Sequence, residues 1–385
     1  MDTPYSLLCA GRIISGANSI DCITDIAAEF AAGNILIISD KGVAAAGLIN
    51  RPRALLEATG RSVTVLDDTP PEPDVHQVDA IVAAARQQSF DLVVGIGGGS
   101  AMDVAKLVAV LLRSELGLRD LLNKAPITRR GVPTLMVPTT AGTGSEATPN
   151  SIVLVPEDEI KVGIVSPKLI PDCIILDPVM TVGLPPAITA STGMDALTHA
   201  IECYASLKGN PFSELLALKA ITLITTSIRR AYRNGKDLDA RHDMLLGALY
   251  GGMCIATSCT TAVHALAYPL GGKYRIPHGI SNAILLPYVM QFNQQGNEEK
   301  FRDMARAMGL DVGGLSAPQA AEAMIASLYA LNHDLGIPSD LKRWSITAAD
   351  LDVLVDGAAG VTRLLDNNPR KMGKSDIRAI YLQLI

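Results

Sequence analysis

Asp91-Leu92-Val93-Val94-Gly95-Ile96-Gly97-Gly98-Gly99-Ser100-Ala101-Met102-Asp103-Val104-Ala105-Lys106 is an apolar run that breaks into three consecutive glycines and resumes with helical spacing. The run is short and closed by glycine, so it reads as a buried strand. The glycines let a backbone approach a ligand closely. The helix start that follows offers free N–H groups and a dipole that favours an anion. Strand, glycine turn and helix head form a phosphate-binding arrangement at Gly97, Gly98, Gly99 and Ser100, with Asp103 one turn into the helix. It is neither a GxGxxG, because Ser100 takes the last glycine's place, nor a Walker A loop.

The same alternation extends on both sides. Ile35-Leu36-Ile37-Ile38 and Ser62-Val63-Thr64-Val65-Leu66 read as strands, and residues 43–58 and 75–88 carry helical spacing. Strands that alternate with helices predict a parallel, Rossmann-like sheet with helices on its faces. Past Leu184-Pro185-Pro186 the β-branched runs thin out. Long Ala- and Leu-rich stretches at 211–233, 240–267 and 317–335 predict an all-helical part, with 271–279 as a loop between helices. The expected organisation is an α/β dinucleotide-binding domain over 1–185 and an all-helical metal-binding and substrate domain over 186–385. Two domains also suit a chain of 385 residues.

Composition narrows the class. The chain is 48% hydrophobic and 19% charged, with a net charge of -6, which argues against nucleic acid or an anionic membrane as partner. The six cysteines form no CxxC and lie in apolar surroundings, the pattern of reduced thiols in a cytoplasmic protein. Acidic Asp2, with no basic region before an apolar run, predicts no secretory leader.

Two further sites carry chemistry. Pro138-Thr139-Thr140-Ala141-Gly142-Thr143-Gly144-Ser145-Glu146 interleaves hydroxyls with glycine, which suits phosphate or ribose. It makes Thr139, Thr140, Thr143 and Ser145 cofactor candidates, with a plain polar turn as the alternative. Asp40 ends the first of these strands, where a carboxylate meets ribose hydroxyls and repels a 2′-phosphate, favouring NAD over NADP. A simple helix cap explains it equally well. In the second half, three of the chain's six histidines join one aspartate: Asp195 and His199 in Gly193-Met194-Asp195-Ala196-Leu197-Thr198-His199, His264 in Ala262-Val263-His264-Ala265, and His278 in Ile276-Pro277-His278-Gly279. Asp195 and His199 lie four apart, on one helix face. One carboxylate and three imidazoles suit Fe²⁺ or Zn²⁺.

With these stretches placed, the chain resembles the iron-containing, group III alcohol dehydrogenases. The matching stretches are GGGSAMDVAK at 97–106, PTTAGTGSE at 138–146, GMDALTHAIE at 193–202, VHALAYPLGGKYRIPHGISNAILLP at 263–287 and Asn368-Pro369-Arg370. The resemblance spans essentially the whole chain. It implies a dehydroquinate synthase-like architecture with a site in the cleft between two domains. It implies Asp195, His199, His264 and His278 as ligands of a divalent metal, Fe²⁺ foremost. It also implies Gly97 to Ser100 at a pyrophosphate, the threonines around NAD, Lys161 near the cofactor, and a homodimer or larger assembly. Two departures stand out. Many members have a histidine four residues after the third ligand, where this chain has Tyr268. Many have a cysteine before Asn-Pro-Arg, where this chain reads Arg363-Leu364-Leu365-Asp366.

The reaction so implied is reversible hydride transfer between the nicotinamide and a small alcohol, diol or hydroxy acid. Tyr268 lies one turn after His264 on the same face. It reads as a pocket wall in preference to a proton relay or substrate hydrogen bond. Asn150, Ile255, Cys259 and Leu364 are candidate pocket residues, and Arg275 is a candidate for binding an anionic substrate. A maleylacetate reductase-like enzyme lacks the metal, which the intact ligand set opposes. A hydroxyacid–oxoacid transhydrogenase-like enzyme keeps its cofactor bound. A dehydroquinate synthase-like lyase needs a dense basic cluster, and only Lys273 and Arg275 lie near the metal motifs.

Overall fold

The β-branched runs that alternate with helices pair side by side, the central ones apolar on both faces and the edge run Ser62–Leu66 on one. In the structure, a computed structural model that describes residues 4–157 and 160–385, they form a 6-stranded parallel sheet. Its strands are β1 (Arg12–Ser15), β2 (Asn34–Ile38), β3 (Ser62–Leu66), β4 (Leu92–Gly97), β5 (Thr134–Pro138) and β8 (Cys173–Leu176), in the order β1-β8-β5-β4-β2-β3. Between them in sequence, β6 (Asn150–Val155) and β7 (Ile160–Val165) form a separate antiparallel hairpin. Ile35 to Ile38, Val93, Val94, Ile96, Leu135 and Val137 are fully buried. Each such side chain contributes about 1.5–3 kcal/mol.

Strand order locates the nucleotide candidates. From β2 the chain runs outward to β3, then crosses back to β4 on the other flank. The order reverses between β2 and β4. Open α/β sheets bind ligands in the crevice beyond the carboxyl ends of strands at such a point. Asp40 follows β2, and the triple glycine ends β4.

The chain divides into two compact units. Residues 8–184 and 236–245 make the sheet unit; residues 4–7, 185–235 and 246–385 belong to the helical unit. In the helical unit, Pro186–Ala205 packs along Pro211–Arg233. The latter is long and apolar enough to cross a membrane, with mean hydropathy 1.2 over its best window. Yet Ala217, Ala220, Ile221, Ile224 and Ile228 are buried, while Lys219, Thr222, Thr226 and Arg230 are exposed. A one-sided apolar stripe is the pattern of a helix lying on a core.

Three local expectations change. The helix expected over 43–58 is two, Lys41–Ala45 and Asn50–Ala58, parted near Gly47 at φ +74°. The stretch 240–267 is also two, Leu238–Ser258 and Ala262–Tyr274, bent by 105° with Cys259 left-handed at φ +65°. The loop expected over 271–279 shrinks to residues 275–277, because the second of those helices runs to Tyr274 and His278 opens the next.

Candidate metal centre and nucleotide cradle

Three helices of the helical unit carry the metal candidates. Asp195 and His199 sit on Pro186–Ala205, whose proline start is preset for helix. His264 sits in the first turn of Ala262–Tyr274. His278 is the first residue of His278–Asn293, where the carbonyl of Pro277 accepts from the N–H groups of Ile280 and Ser281. Gly279 explains how closely that helix start approaches Asp195. A Cβ there would lie 2.2 Å from the Ser191 carbonyl oxygen and 3.4 Å from the Asp195 Cβ.

One donor atom from each of the four side chains lies within 4.8 Å of all the others. Asp195 Oδ1 stands 3.9 Å from His199 Nε2, 3.9 Å from His264 Nε2 and 3.7 Å from His278 Nε2. The His199 and His264 rings stack with centroids 4.7 Å apart. Burial alone would push the Asp195 carboxyl up. The three imidazoles and an Asn282 N–H outweigh it and hold the carboxyl below its ordinary value. Asp195, His199 and His264 are almost wholly buried, whereas the His278 side chain is 30% exposed and marks the open side.

Two residues that sequence reasoning missed complete the cluster. Glu202 is fully buried and lies 2.5 Å from His264 Nδ1 through Oε2. Its Oε1 accepts from Thr261 Oγ1 at 2.8 Å and the Val263 N–H at 2.6 Å. A carboxylate so fixed makes Nδ1 the donor and turns Nε2 toward the other ligands. The signal was present: Glu202 follows Asp195 by seven and His199 by three, on one helix face. Asn282, one turn after His278, places Nδ2 2.7 Å from Asp195 Oδ1, 3.1 Å from His264 Nε2 and 3.2 Å from His278 Nε2. Its Oδ1 is buried with no hydrogen-bond partner among the described residues. Four converging hard and borderline donors beside an orphaned amide oxygen fit a divalent ion.

Tyr268 lies beside this cluster, its ring 6.4 Å from that of His278. Burial pushes its hydroxyl above the ordinary phenol value, against the opposing pull of the nearby Arg363 charge. Arg363 Nη1 also lies 3.5 Å from Cys259 Sγ. Leu364 is fully buried beside Arg363, and Ile255 accepts the Cys259 N–H through its carbonyl. Arg275 caps its helix in the left-handed region and is exposed. Among the described residues, no side-chain hydrogen bond or ion pair ties it to the cluster.

In the sheet unit the glycines face side chains at van der Waals range or closer. A Cβ at Gly97 would lie 2.7 Å from the Ala101 Cβ and 3.2 Å from Asp40 Oδ2. At Gly98 it would lie 3.4 Å from Thr140 Oγ1, and at Gly99 2.7 Å from Thr143 Cγ2. Asp40, the three glycines, Thr140 and Thr143 thus form one cradle that added side chains would fill. The helix Gly99–Leu111 has no side-chain cap at Gly98, so its first N–H groups face the cradle. That cradle fits a dinucleotide pyrophosphate. Asp40 Oδ1 accepts the Val43 N–H at 2.9 Å and caps its short helix, while Oδ2 remains toward Gly97.

The other nucleotide candidates are tied into the scaffold. The Thr139 N–H donates to the Gly97 carbonyl at 2.9 Å, and Ser100 Oγ accepts the Glu72 N–H at 3.1 Å. Ser145 Oγ donates to Asp103 Oδ1 at 2.5 Å. Buried Lys106 binds the same carboxylate at 3.0 Å and the carbonyls of Ser145 and Asn150. Lys161 Nζ pairs with Glu72 Oε1 at 2.6 Å.

The profile described as iron-containing alcohol dehydrogenase matches residues 10–178, and that of the Fe-containing alcohol dehydrogenase family, C-terminal, matches 189–385. Long-chain-alcohol dehydrogenase 1 of Geobacillus thermodenitrificans is 40% identical over 369 residues, covering 95% of this chain and 93% of its own. The 1,3-propanediol dehydrogenase of Klebsiella pneumoniae is 36% identical over 370 residues, covering 96% and 95%. A crystal structure of 1,3-propanediol oxidoreductase superposes with a TM-score of 0.95 at 34% identity, covering 100% of both chains. With both units matched end to end, the chain belongs to the iron-containing alcohol dehydrogenase family and is an oxidoreductase acting on CH–OH groups.

Proposed function

We propose that this chain is a divalent-metal-dependent, NAD-linked dehydrogenase that interconverts a small alcohol, diol or hydroxy acid with its carbonyl compound. The carrying observation is the buried four-donor cluster, open on its His278 side. Asp195, His199, His264 and His278 hold the ion, and Gly97 to Gly99, Ser100, Thr139, Thr140 and Thr143 hold the cofactor. When bound, ion and nicotinamide supply Lewis-acid polarisation and redox capacity respectively.

This chain's own residues do the rest. Glu202 orients His264, and burial of three of the four ligands excludes water from all but one side. Tyr268 keeps its proton on Oη at neutral pH and walls that side as a hydrogen-bond donor. Asp40 Oδ2, aimed along Gly97, favours the free ribose hydroxyls of NAD over the 2′-phosphate of NADP. A cytoplasmic location and a homo-oligomeric assembly are part of the proposal.

The test is steady-state oxidation of primary alcohols, diols and hydroxy acids by anaerobically purified, Fe²⁺-loaded protein, with NAD and NADP in parallel. Metal-dependent NADH formation is the expected result. NADPH formation with equal kcat/KM contradicts the role of Asp40, and absence of turnover with every alcohol contradicts the dehydrogenase reading.

A further inference from the structure

Asp40 does not stand alone at the end of its strand. β2 and β3 run in parallel with Ile38 opposite Leu66, so Asp40 and Lys41 leave the sheet beside Asp67 and Asp68. Lys41 Nζ lies 2.6 Å from Asp67 Oδ1 and 2.8 Å from Asp68 Oδ1. Hydrogen bonds to Asp67 first, and then to Asp68, raise the ammonium above the ordinary lysine value. An exposed ion pair adds little to stability, so the fold itself does not account for a second carboxylate on one lysine.

The segment that carries the two aspartates is fastened at both ends. The Ser39 N–H donates to the Leu66 carbonyl at 2.9 Å, and the Thr69 N–H donates to the Ser39 carbonyl at 3.2 Å. Past Pro70-Pro71, the Glu72 N–H donates to Ser100 Oγ at the head of the glycine helix, and the Glu72 carboxylate pairs with Lys161. Residues 67–72 therefore border the cradle from the end of β2 to that helix head. Asp40, Asp67, Asp68 and Glu72 set four carboxylates against the two ammonium groups of Lys41 and Lys161, and both ammonium groups are taken.

Strand order says what this rim meets. With the pyrophosphate at the glycine turn after β4 and the adenosine ribose at Asp40 after β2, the side away from the pyrophosphate is the end of β3. A cation close to the ribose-binding acid is what a 2′-phosphate requires. Lys41, directly after Asp40, holds that position and is already neutralised.

Resting on the proposed NAD-linked reading, we infer that Asp67 and Asp68 are cofactor-specificity residues, which withhold Lys41 from the 2′-phosphate of NADP. Asp40 repels that phosphate, and the two aspartates occupy the one neighbouring cation that would bind it.

The experiment measures dissociation constants for NADH and NADPH by fluorescence titration of wild type, Lys41→Gln, Asp67→Asn/Asp68→Asn and the triple variant Lys41→Gln/Asp67→Asn/Asp68→Asn. The readout is the affinity for NADPH relative to NADH. The double variant shifts it roughly 10-fold toward NADPH, the scale of one charge-assisted hydrogen bond discounted for exposure. The triple variant loses most of that shift. Lys41→Gln alone moves the ratio less than about twofold, because an ammonium already paired has little left to give a phosphate. A double variant with the wild-type ratio overturns the inference. So does a shift of the same size in the triple variant, which marks bulk charge as the cause, or a large drop in NADPH affinity in Lys41→Gln alone, which marks Lys41 as free from the start. The expected pattern of binding with no alcohol oxidised keeps the inference and defeats the dehydrogenase reading. Wild-type protein that binds neither dinucleotide defeats the nucleotide cradle and the inference together.

Discussion

The candidate metal cluster and the proposed nucleotide cradle are built from opposite materials. In the helical unit the chemistry lies in four charged or basic side chains gathered from three helices. In the sheet unit it lies in the absence of side chains, where Gly97, Gly98 and Gly99 leave backbone exposed to a ligand. Their buried carboxylates differ accordingly. Asp195 has three imidazoles for company, which outweigh its burial and hold its carboxyl down. Glu146 lies at the end of the threonine loop, where burial dominates the pull of Lys106 and pushes it up to about 7. A carboxylate held ionised inside a protein is poised for a cation; one pushed toward neutrality is a cost that the fold carries.

The contrast breaks most visibly at a ligand. His264→Ala is expected to lower kcat/KM by about 10³-fold, the several kcal/mol that Lewis-acid stabilisation supplies, while NAD affinity measured by fluorescence titration changes little. Equal loss of NAD binding would join two sites that the account keeps separate.

Glu146 sharpens the other side. Its folded value lies above its ordinary 4.5, so the folded state binds the extra proton between about 4.5 and 7. Stability is therefore fully present at the acid end of that window and falls by ~3 kcal/mol as pH rises through it. Glu146→Gln removes that slope. Urea denaturation of wild type and variant at pH 4.5 and 8 shows it as a gain confined to the higher pH. A gain of the same size at both pH values counts against burial as the cause.

A smaller effect is expected at Glu202→Gln. The amide no longer accepts from His264 Nδ1 with full charge, and metal affinity falls about 10- to 100-fold with the fold intact by circular dichroism. Smaller again is Gly99→Ala, whose new Cβ meets Thr143 at 2.7 Å. The strain of about 1–2 kcal/mol raises the dissociation constant for NAD roughly 10-fold and leaves metal content unchanged. Metal loss in Gly99→Ala would be the surprising outcome.

How much the sequence discloses follows the same division. The strands at 35–38, 62–66 and 91–96 are legible because β-branched runs are short and bounded. The four ligand candidates are legible because histidine is scarce in this chain and three of its six fall in these motifs. Glu202 and Asn282 hide because a glutamate and an asparagine on apolar helices have many ordinary explanations. Only the packing of three helices shows what they face. The 105° bend at Cys259 hides for a related reason. Residues 240–267 keep helical spacing across it, and a left-handed non-glycine residue leaves no mark in composition.

The most direct test of the metal centre is an anaerobic equilibrium titration of Fe²⁺ and Zn²⁺ into chelator-stripped protein, with metal counted per chain in wild type and in the Asp195→Ala/His264→Ala double variant. One ion per wild-type chain, and none tightly held by the variant at unchanged NAD affinity, is the predicted result. Equal stoichiometry and affinity in both proteins would contradict it and place the ion somewhere other than among Asp195, His199, His264 and His278.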